Sequence, residues 1–180
     1  MPNWAMGDIT IKGKPEDIEK FCNLFIFEDK SFDTKLNNPE RYFARSFIHQ
    51  TWEEFKEEEL GEDEATFGVD FAWSAHSCLI EGYPQDSKGK CPTLAEACKE
   101  FNVSVWIDTE EEGLGFLEHI ECGPNGMICE EEKDIPEYTC KKCGEKQRIP
   151  PSYDLGVATC YGCETEGEWR SLANKRRRQK

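Results

Sequence analysis

Cys140-Lys141-Lys142-Cys143 places two cysteines two residues apart, and Cys160-Tyr161-Gly162-Cys163 repeats that spacing after a gap of 16 residues. Two intervening residues let both thiolates of a pair turn toward one point, and Gly144 allows the tight backbone that follows the first pair. The gap is long enough for a hairpin through residues 148–153. We therefore expect a zinc ribbon in which four sulfurs bind one Zn²⁺ as a tetrahedron, at about 2.3 Å.

Four thiolates leave no open position for water, so this zinc is predicted to be structural. Metal binding would then supply the folding energy of a module too small to hold a core. Two redox-active pairs are the alternative, but each would need a thioredoxin-like helix start after a strand. We predict the ligands to be Cys140, Cys143, Cys160 and Cys163.

Charge is unevenly distributed along the 180 residues, whose formal net charge is −15. Residues 1–139 hold 32 acidic and 12 basic residues, a net charge of −20, whereas residues 140–180 hold 5 and 10, a net charge of +5. Bulk DNA is a poor partner for the first part, because phosphate and carboxylate repel. An acidic surface suits a basic partner, such as a protein that itself binds nucleic acid; solubility alone is the alternative.

Two acidic runs are candidates for that partner surface. A solvated face is one interpretation, and a spaced set of carboxylates that imitates a phosphate backbone is the other. The candidate residues are Glu57, Glu58, Glu59, Glu110, Glu111 and Glu112.

The C-terminal tail is basic. Residues 166–180 can form a helix through Trp169, Leu172 and Ala173, and five of the last six residues are cationic. Such a tail binds the phosphates of DNA or RNA, or is a soluble helix end whose cations suit the helix dipole. The candidate residues are Lys175, Arg176, Arg177, Arg178 and Lys180.

Hydrophobic periodicity predicts alternating strands and helices before the cysteine module. Strands are expected over 5–12 and 42–48, with a helix from Pro15 between them and a polar loop over 29–40. Thr51 with Glu54 forms a capping box for a short helix that Gly61 ends.

The later elements are mostly strands. Phe67, Val69, Phe71 and Trp73 alternate as one aromatic strand face. A capping box at residues 93–96 begins a helix, followed by predicted strands over 103–107, 116–121 and 127–132, the last two joined by the turn 123–126. This order favours an α+β fold, a mainly antiparallel sheet with helices on one face. We expect an acidic α+β domain over 1–134, a zinc ribbon over 135–167 and a basic helix or tail over 168–180.

Several landmarks resemble a family. Pro2-Asn3-Trp4 leading into Ile9-Thr10-Ile11, then Phe71-Ala72-Trp73, then Gly113-Leu114-Gly115-Phe116, is similar to the YubB-like ferredoxin-like domain of phages, plasmids and other mobile elements. The resemblance covers about residues 1–130. It implies a ferredoxin-like βαββαβ core with added strands and no iron–sulfur cluster, and it brings no catalytic residues.

Catalytic and membrane functions are not indicated. No run of 18 apolar residues and no secretory signal is present, so we expect a cytoplasmic protein with reduced thiols. No serine–histidine–aspartate arrangement, phosphate-binding glycine loop or paired-carboxylate motif can be identified, and we expect no enzyme. His49 and His76 are interpreted as surface or loop residues, and the spacing of His119, Cys122 and Cys129 fits no ligand pattern for a second metal.

These observations lead to a first hypothesis, a non-enzymatic zinc-containing binding protein of a phage or mobile element. Its acidic domain would engage a basic nucleic-acid-handling host protein, and an anti-CRISPR inhibitor of an effector with a positively charged channel is its most concrete form. The second hypothesis is a DNA- or RNA-binding protein that acts through the ribbon and the basic tail.

Overall fold

The computed structural model describes residues 3–23, 46–48, 52–80 and 93–171. The chain divides into two compact units. The first comprises Met1–Glu111 and Leu117–Glu132, and the second comprises Glu112–Phe116 and Lys133–Lys180.

The larger sheet contains six strands in the spatial order β2-β3-β1-β4-β5-β6. Their bounds are Trp4–Lys12 (β1), Ser46–Phe47 (β2), Glu64–Ala72 (β3), Ser104–Glu111 (β4), Phe116–Cys122 (β5) and Ile128–Asp134 (β6). The central strand β1 pairs antiparallel with both neighbours, so that Ile9 lies opposite Phe67 on one side and Ile107 on the other. β2 pairs antiparallel with β3.

The described residues include four helical segments beside these strands. They are Pro15–Cys22 (α1), Trp52–Glu54 continued by a π-helix over Phe55–Glu59 (α2), Ala75–Leu79 (α3) and Leu94–Phe101 (α4). The predicted Pro15 start of α1 is confirmed. The predicted capping box of α4 is confirmed as well, because the Thr93 hydroxyl accepts the Glu96 N–H and the Glu96 carboxylate accepts the Thr93 N–H.

The core lies between the helices and one face of the sheet, as strand alternation predicts. Alternate residues of β3 and β4 are buried there together with Ala5, Ile9 and Ile11 of β1, and α1 and α4 add their apolar sides. Its largest fully buried side chains are Phe21, Phe55, Phe71, Ile9, Ile11, Ile18, Leu79, Leu94 and Ile107. The α+β class with an antiparallel sheet is therefore confirmed.

The prediction for Trp73 was wrong. Strand β3 ends at Ala72, and Trp73 takes a left-handed conformation (φ 78°) that leaves its ring 42% exposed. Its N–H donates to the carbonyl oxygen of Asn3 (2.8 Å), and the chain turns at once into α3, whose first turn is capped by the Ser74 side chain. The turn removes Trp73 from the face that Phe67 and Phe71 share.

The second unit contains a three-stranded sheet of order β8-β7-β9, with bounds Glu137–Cys140 (β7), Lys146–Arg148 (β8) and Trp169–Ser171 (β9). A helix over residues 166–180 was predicted, and that prediction was wrong for residues 169–171, which form β9. Their backbone pairs antiparallel with β7, and the Trp169 ring is buried with its Nε1–H donating to the Ala158 carbonyl oxygen (2.9 Å).

Several sequence predictions lie outside the described residues. These are the loop over 29–40, most of the strand over 42–48, Thr51, His49 and the basic residues 175–180. Within the described part of the chain, no helix is long and apolar enough to cross a membrane.

Candidate functional site

The four predicted cysteine ligands converge. Their Sγ atoms all lie within 4.8 Å of one another, with Cys140 and Cys163 3.7 Å apart and Cys143 and Cys160 3.5 Å apart. A tetrahedron of sulfurs around zinc has edges of about 3.8 Å if each bond is about 2.3 Å. The sulfur cage therefore has the size that a four-coordinate metal ion of this kind requires.

Two backbone turns with the same hydrogen bonds present these sulfurs. In the first, the Cys140 N–H donates to the Glu145 carbonyl oxygen (2.8 Å) and the Gly144 N–H donates to the Cys140 carbonyl oxygen (3.0 Å). The second turn repeats both bonds, from Cys160 to Thr165 (3.0 Å) and from Glu164 back to Cys160 (2.8 Å). Each pair of cysteines is thus oriented by its own backbone.

The residue that follows each pair has a positive φ. Gly144 has a φ of 81°, as the sequence predicts for a glycine at this place. Glu164 has a φ of 56° at the matching position of the second turn, where the sequence provides no glycine. The repeated geometry therefore requires the same left-handed conformation from two different residue types.

Hydrogen bonds with groups other than the cysteines lower the pKa values of Cys143 and Cys163, whereas desolvation raises them. The Thr165 side chain, whose Oγ1 lies 3.4 Å from the Cys163 Sγ, is the largest cause that lowers the pKa of Cys163 to about 6. The Glu145 N–H lowers the pKa of Cys143, but desolvation and the neighbouring thiols outweigh it and raise that pKa to about 12. Four such sulfurs cannot all ionise in contact unless a cation shares the site, so the donor set fits a divalent metal.

A small core supports the cage. Cys140 and Cys160 are buried together with Ile149, Ala158 and Trp169. The side chain of Gln147 joins β8 to the second turn, because its amide donates to the Thr159 carbonyl oxygen (3.4 Å) and accepts the Tyr161 N–H (3.3 Å).

No second group of metal-ligating side chains occurs in the described residues. Cys122 is buried and its Sγ donates to the Gly123 carbonyl oxygen (3.7 Å), whereas Cys129 is exposed on β6. The two cysteines on either side of the 123–126 turn therefore differ in surroundings and share no site.

The described histidines pair with carboxylates. His76 Nδ1 lies 2.8 Å from Glu130, and His119 lies 2.7 Å from Asp108 and 3.1 Å from Glu121. Asp108 and Glu121 raise the pKa of His119, and the hydrogen bond to Asp108 is the largest cause.

A buried carboxylate that the sequence did not single out lies beneath α3. Glu118 of β5 accepts hydrogen bonds from the Ala75 N–H (2.8 Å), the His76 N–H (3.3 Å) and the Thr109 hydroxyl (3.1 Å). Burial is the main cause that raises its pKa, against the effect of those donors. Since all three donors of Glu118 belong to the fold itself, its arrangement anchors α3 to the sheet.

The predicted acidic residues lie in different surroundings. Glu57 and Glu58 are exposed on α2, with Glu59 half-buried after them. Glu110 is half-buried and Glu112 exposed, but Glu111 is only 1% exposed. Strand alternation turns Glu111 to the core side of β4, so its inclusion in an exposed acidic surface was wrong.

The structure gathers other carboxylates on the second face of the larger sheet, against which no helix packs in the described residues. We call this the open sheet face. Its apolar members include Trp4, Met6 and Trp106, and its acidic members include Asp8, Glu64, Asp70, Asp108, Glu110 and Glu121. Period-two alternation along the predicted strands is the signal that could have located it.

The comparisons with known proteins add no assignment. The chain matches no family model, no curated protein and no solved structure.

Proposed function

We propose that this chain is a non-enzymatic binding protein whose open sheet face engages a basic partner. The observation that carries the proposal is the combination of exposed aromatic or apolar side chains with carboxylates on one surface: Trp4 is 38% and Met6 46% exposed. In the sheet register, Met6 lies opposite Asp70 on β3 and opposite Glu110 on β4. Aromatic rings bind the cationic groups of arginine and lysine through cation–π contacts, and neighbouring carboxylates pair with the same groups.

Like charges face each other on this surface. Asp8 of β1 lies directly opposite Asp108 of β4, an arrangement that weakens strand pairing by a few tenths of a kcal/mol, up to about 1 kcal/mol. His119 lies 2.7 Å from Asp108 and offsets part of this repulsion, so the facing pair supports a cationic ligand mainly through Asp8. The facing carboxylates therefore favour a partner-binding role for this surface over a role in solubility alone.

One end of the face already holds a cation of the chain itself. Lys12 Nζ lies 2.6 Å from a Glu64 carboxylate oxygen and 5.6 Å from the centre of the Trp106 ring. The hydrogen bond to Glu64 is the largest cause that raises the pKa of Lys12. The face therefore combines carboxylate and ring around an ammonium group, which is the chemistry proposed for the partner's cations.

The partner class follows from this chemistry. Proteins that handle nucleic acids present cationic channels, and an acidic face competes for them. Together with the mobile-element resemblance, this supports a host nucleic-acid-handling protein as the target. An anti-CRISPR-type inhibitor is the most specific form of the proposal.

The scaffold assignment is part of the same proposal. The order β2-β3-β1-β4, with helices after β1 and β3, supports a ferredoxin-like βαββαβ core to which β5 and β6 are added. Membership in the YubB-like family stays a prediction from the sequence landmarks. The bound metal is proposed to be one structural zinc ion in a zinc ribbon, supported by the sulfur cage and the two matched turns.

A double substitution on the open sheet face tests the proposed function. Asp8→Asn with Asp108→Asn removes two facing charges, so binding of a fluorescent nine-arginine peptide should weaken; the substitution at Asp108 also removes an ion-pair partner of His119. The matched control, Glu57→Gln with Glu58→Gln, changes net charge equally but lies on α2. Fluorescence anisotropy at several salt concentrations gives both affinities, and each variant's melting curve checks its fold.

We expect the sheet variant to lose several-fold more affinity than the α2 control. Equal losses of affinity in the two variants would show that peptide binding depends on net charge alone and would refute the assignment to the open sheet face. An affinity of the unaltered protein that does not change with ionic strength would refute the phosphate-mimicry mechanism.

Direct nucleic-acid binding through the C-terminal part is the second candidate. It is favoured by the net charge of +5 over residues 140–180 within a chain of net charge −15. Deleting residues 174–180 should abolish retention of DNA or RNA in a gel shift. No retention by the intact protein would contradict this candidate.

A further inference from the structure

The second unit contains a groove of about 690 Å³ beside the cysteine cage. Its floor is apolar, since Ile135 and Ile149 are each only 2% exposed. Apolar and polar side chains both line it, and its charged members are Glu112, Lys146 and Arg148. Its volume lies in the range of ligand sites.

Exposed rings border this groove. The Tyr161 side chain is 85% exposed and that of Tyr153 is 52% exposed, with Val157 also on the wall at 63%. Tyr161 stands in the second cysteine turn, where the sulfur cage and the hydrogen bond from its N–H to Gln147 fix its backbone. A ring on so constrained a backbone loses little freedom when it stacks on a ligand.

A cation is held on the same wall. Arg148 donates from Nη1 to the Leu114 carbonyl oxygen (2.9 Å) and makes no ion pair with any carboxylate in the described residues. It packs so closely over Gly115 that a Cβ there would clash with Nη1. A guanidinium has five N–H donors, so Arg148 keeps donors for an anionic ligand beside the bond to Leu114, in a groove that Glu112 also lines.

We propose that this groove binds a segment of single-stranded nucleic acid, with a base stacked on Tyr161 and a phosphate on Arg148. The inference deepens the second candidate function and rests on it. Base stacking requires an unpaired base, which a duplex does not present, and rings accept any base because each has a π-face. An acidic peptide would pair with Arg148 but would not account for the exposed ring of Tyr161.

The test uses the full-length, zinc-loaded protein and fluorescein-labelled 12-nucleotide oligo-dT and oligo-rU in an anisotropy titration. Tyr161→Ala should weaken binding by about tenfold, whereas Tyr161→Phe keeps the ring and should retain affinity. Arg148→Gln should weaken binding and lower the slope of log affinity against log salt by about one. Lys142→Gln, an equal charge change in the first cysteine turn outside the groove, is the matched control and should have a smaller effect.

An abasic oligonucleotide of equal length carries the same phosphates without bases and should bind more weakly than oligo-dT. Equal binding of the abasic strand would overturn the stacking proposal. The stacking proposal would also be overturned if Tyr161→Ala kept its affinity while deletion of residues 174–180 abolished binding. That result would leave the second candidate function intact but assign it to the tail. No binding of any oligonucleotide by the intact protein would overturn both. Zinc content of each variant verifies that the ribbon remains folded.

Discussion

Gly144 and Glu164 show at the residue scale how one local geometry is built from two unlike sequences. Both follow the second cysteine of a pair, both have positive φ, and both donate their N–H to the carbonyl oxygen of the pair's first cysteine. The first could be predicted, because glycine after a Cys-x2-Cys pair indicates this turn. The second could not, because glutamate carries no preference for the left-handed region.

Replacing Gly144 by alanine isolates the cost of this conformation. A Cβ at Gly144 would meet no atom within 4 Å, so the cost is backbone strain alone, about 1 kcal/mol. Gly68 of β3 is the matched control, since it also has open space but has no positive φ. Gly68→Ala should stabilise the protein by about 0.4–1 kcal/mol, because the unfolded chain loses freedom. Denaturant titrations measure both, and a stabilising Gly144→Ala would contradict the turn geometry.

Helix α3 is an element that the sequence pattern does not predict. Its five residues are too few for a periodic apolar pattern, and it is fixed by Glu118, which lies 42 and 43 residues later in the chain. Longer elements were predictable: β1, α1, α4 and the β5–β6 turn follow strong periodicity or capping signals. Trp73 was misassigned because a left-handed residue ends the strand. Glu111 was misassigned because three consecutive glutamates were taken as one exposed surface, although alternate residues of a strand face opposite sides.

The Glu118 carboxylate predicts a pH dependence. Its pKa in the folded protein is raised above its ordinary value near 4.5, so the folded state binds this proton more tightly than the unfolded chain. The contribution of this proton to stability is therefore fully present below the ordinary pKa of the unfolded chain, near 4.5, and is lost as the pH rises through the higher pKa of the folded state. Compared with Glu118→Gln, the unaltered protein should gain stability as pH falls from 7 to 4. Urea titrations across this range measure the difference, and a constant difference would contradict the raised pKa.

Strand β9 predicts a second effect at the element scale. Because the Trp169 ring is 7% exposed and packs in the small core with Cys140 and Cys160, Trp169→Ala should destabilise the second unit by about 3 kcal/mol or more. It should also weaken zinc retention against a chelator. Deleting residues 174–180 is the control and should leave zinc retention unchanged. Equal zinc retention in Trp169→Ala would mean that β9 is not part of the metal-supported fold.

At the scale of the whole molecule, the chain combines a unit with its own apolar core and a unit with a core of five buried residues. A core that small does not normally fold without a metal or disulfide. The division could be predicted in outline from the charge shift and the cysteine spacing. Inclusion of Glu112–Phe116 in the second unit could not, because it depends on contacts distant in sequence, such as the Ile135 N–H donating to the Gly115 carbonyl oxygen (2.8 Å).

Metal stoichiometry is the most direct test that the second unit is a metal-supported fold. Native mass spectrometry of reduced protein, purified with zinc and freed of loose metal, should show one zinc ion per chain. Cys143→Ser should lose that ion, whereas Cys129→Ser, which removes an exposed thiol outside the cage, should keep it. Full-length protein without stoichiometric zinc, or zinc retained equally in Cys143→Ser, would contradict the four-cysteine centre.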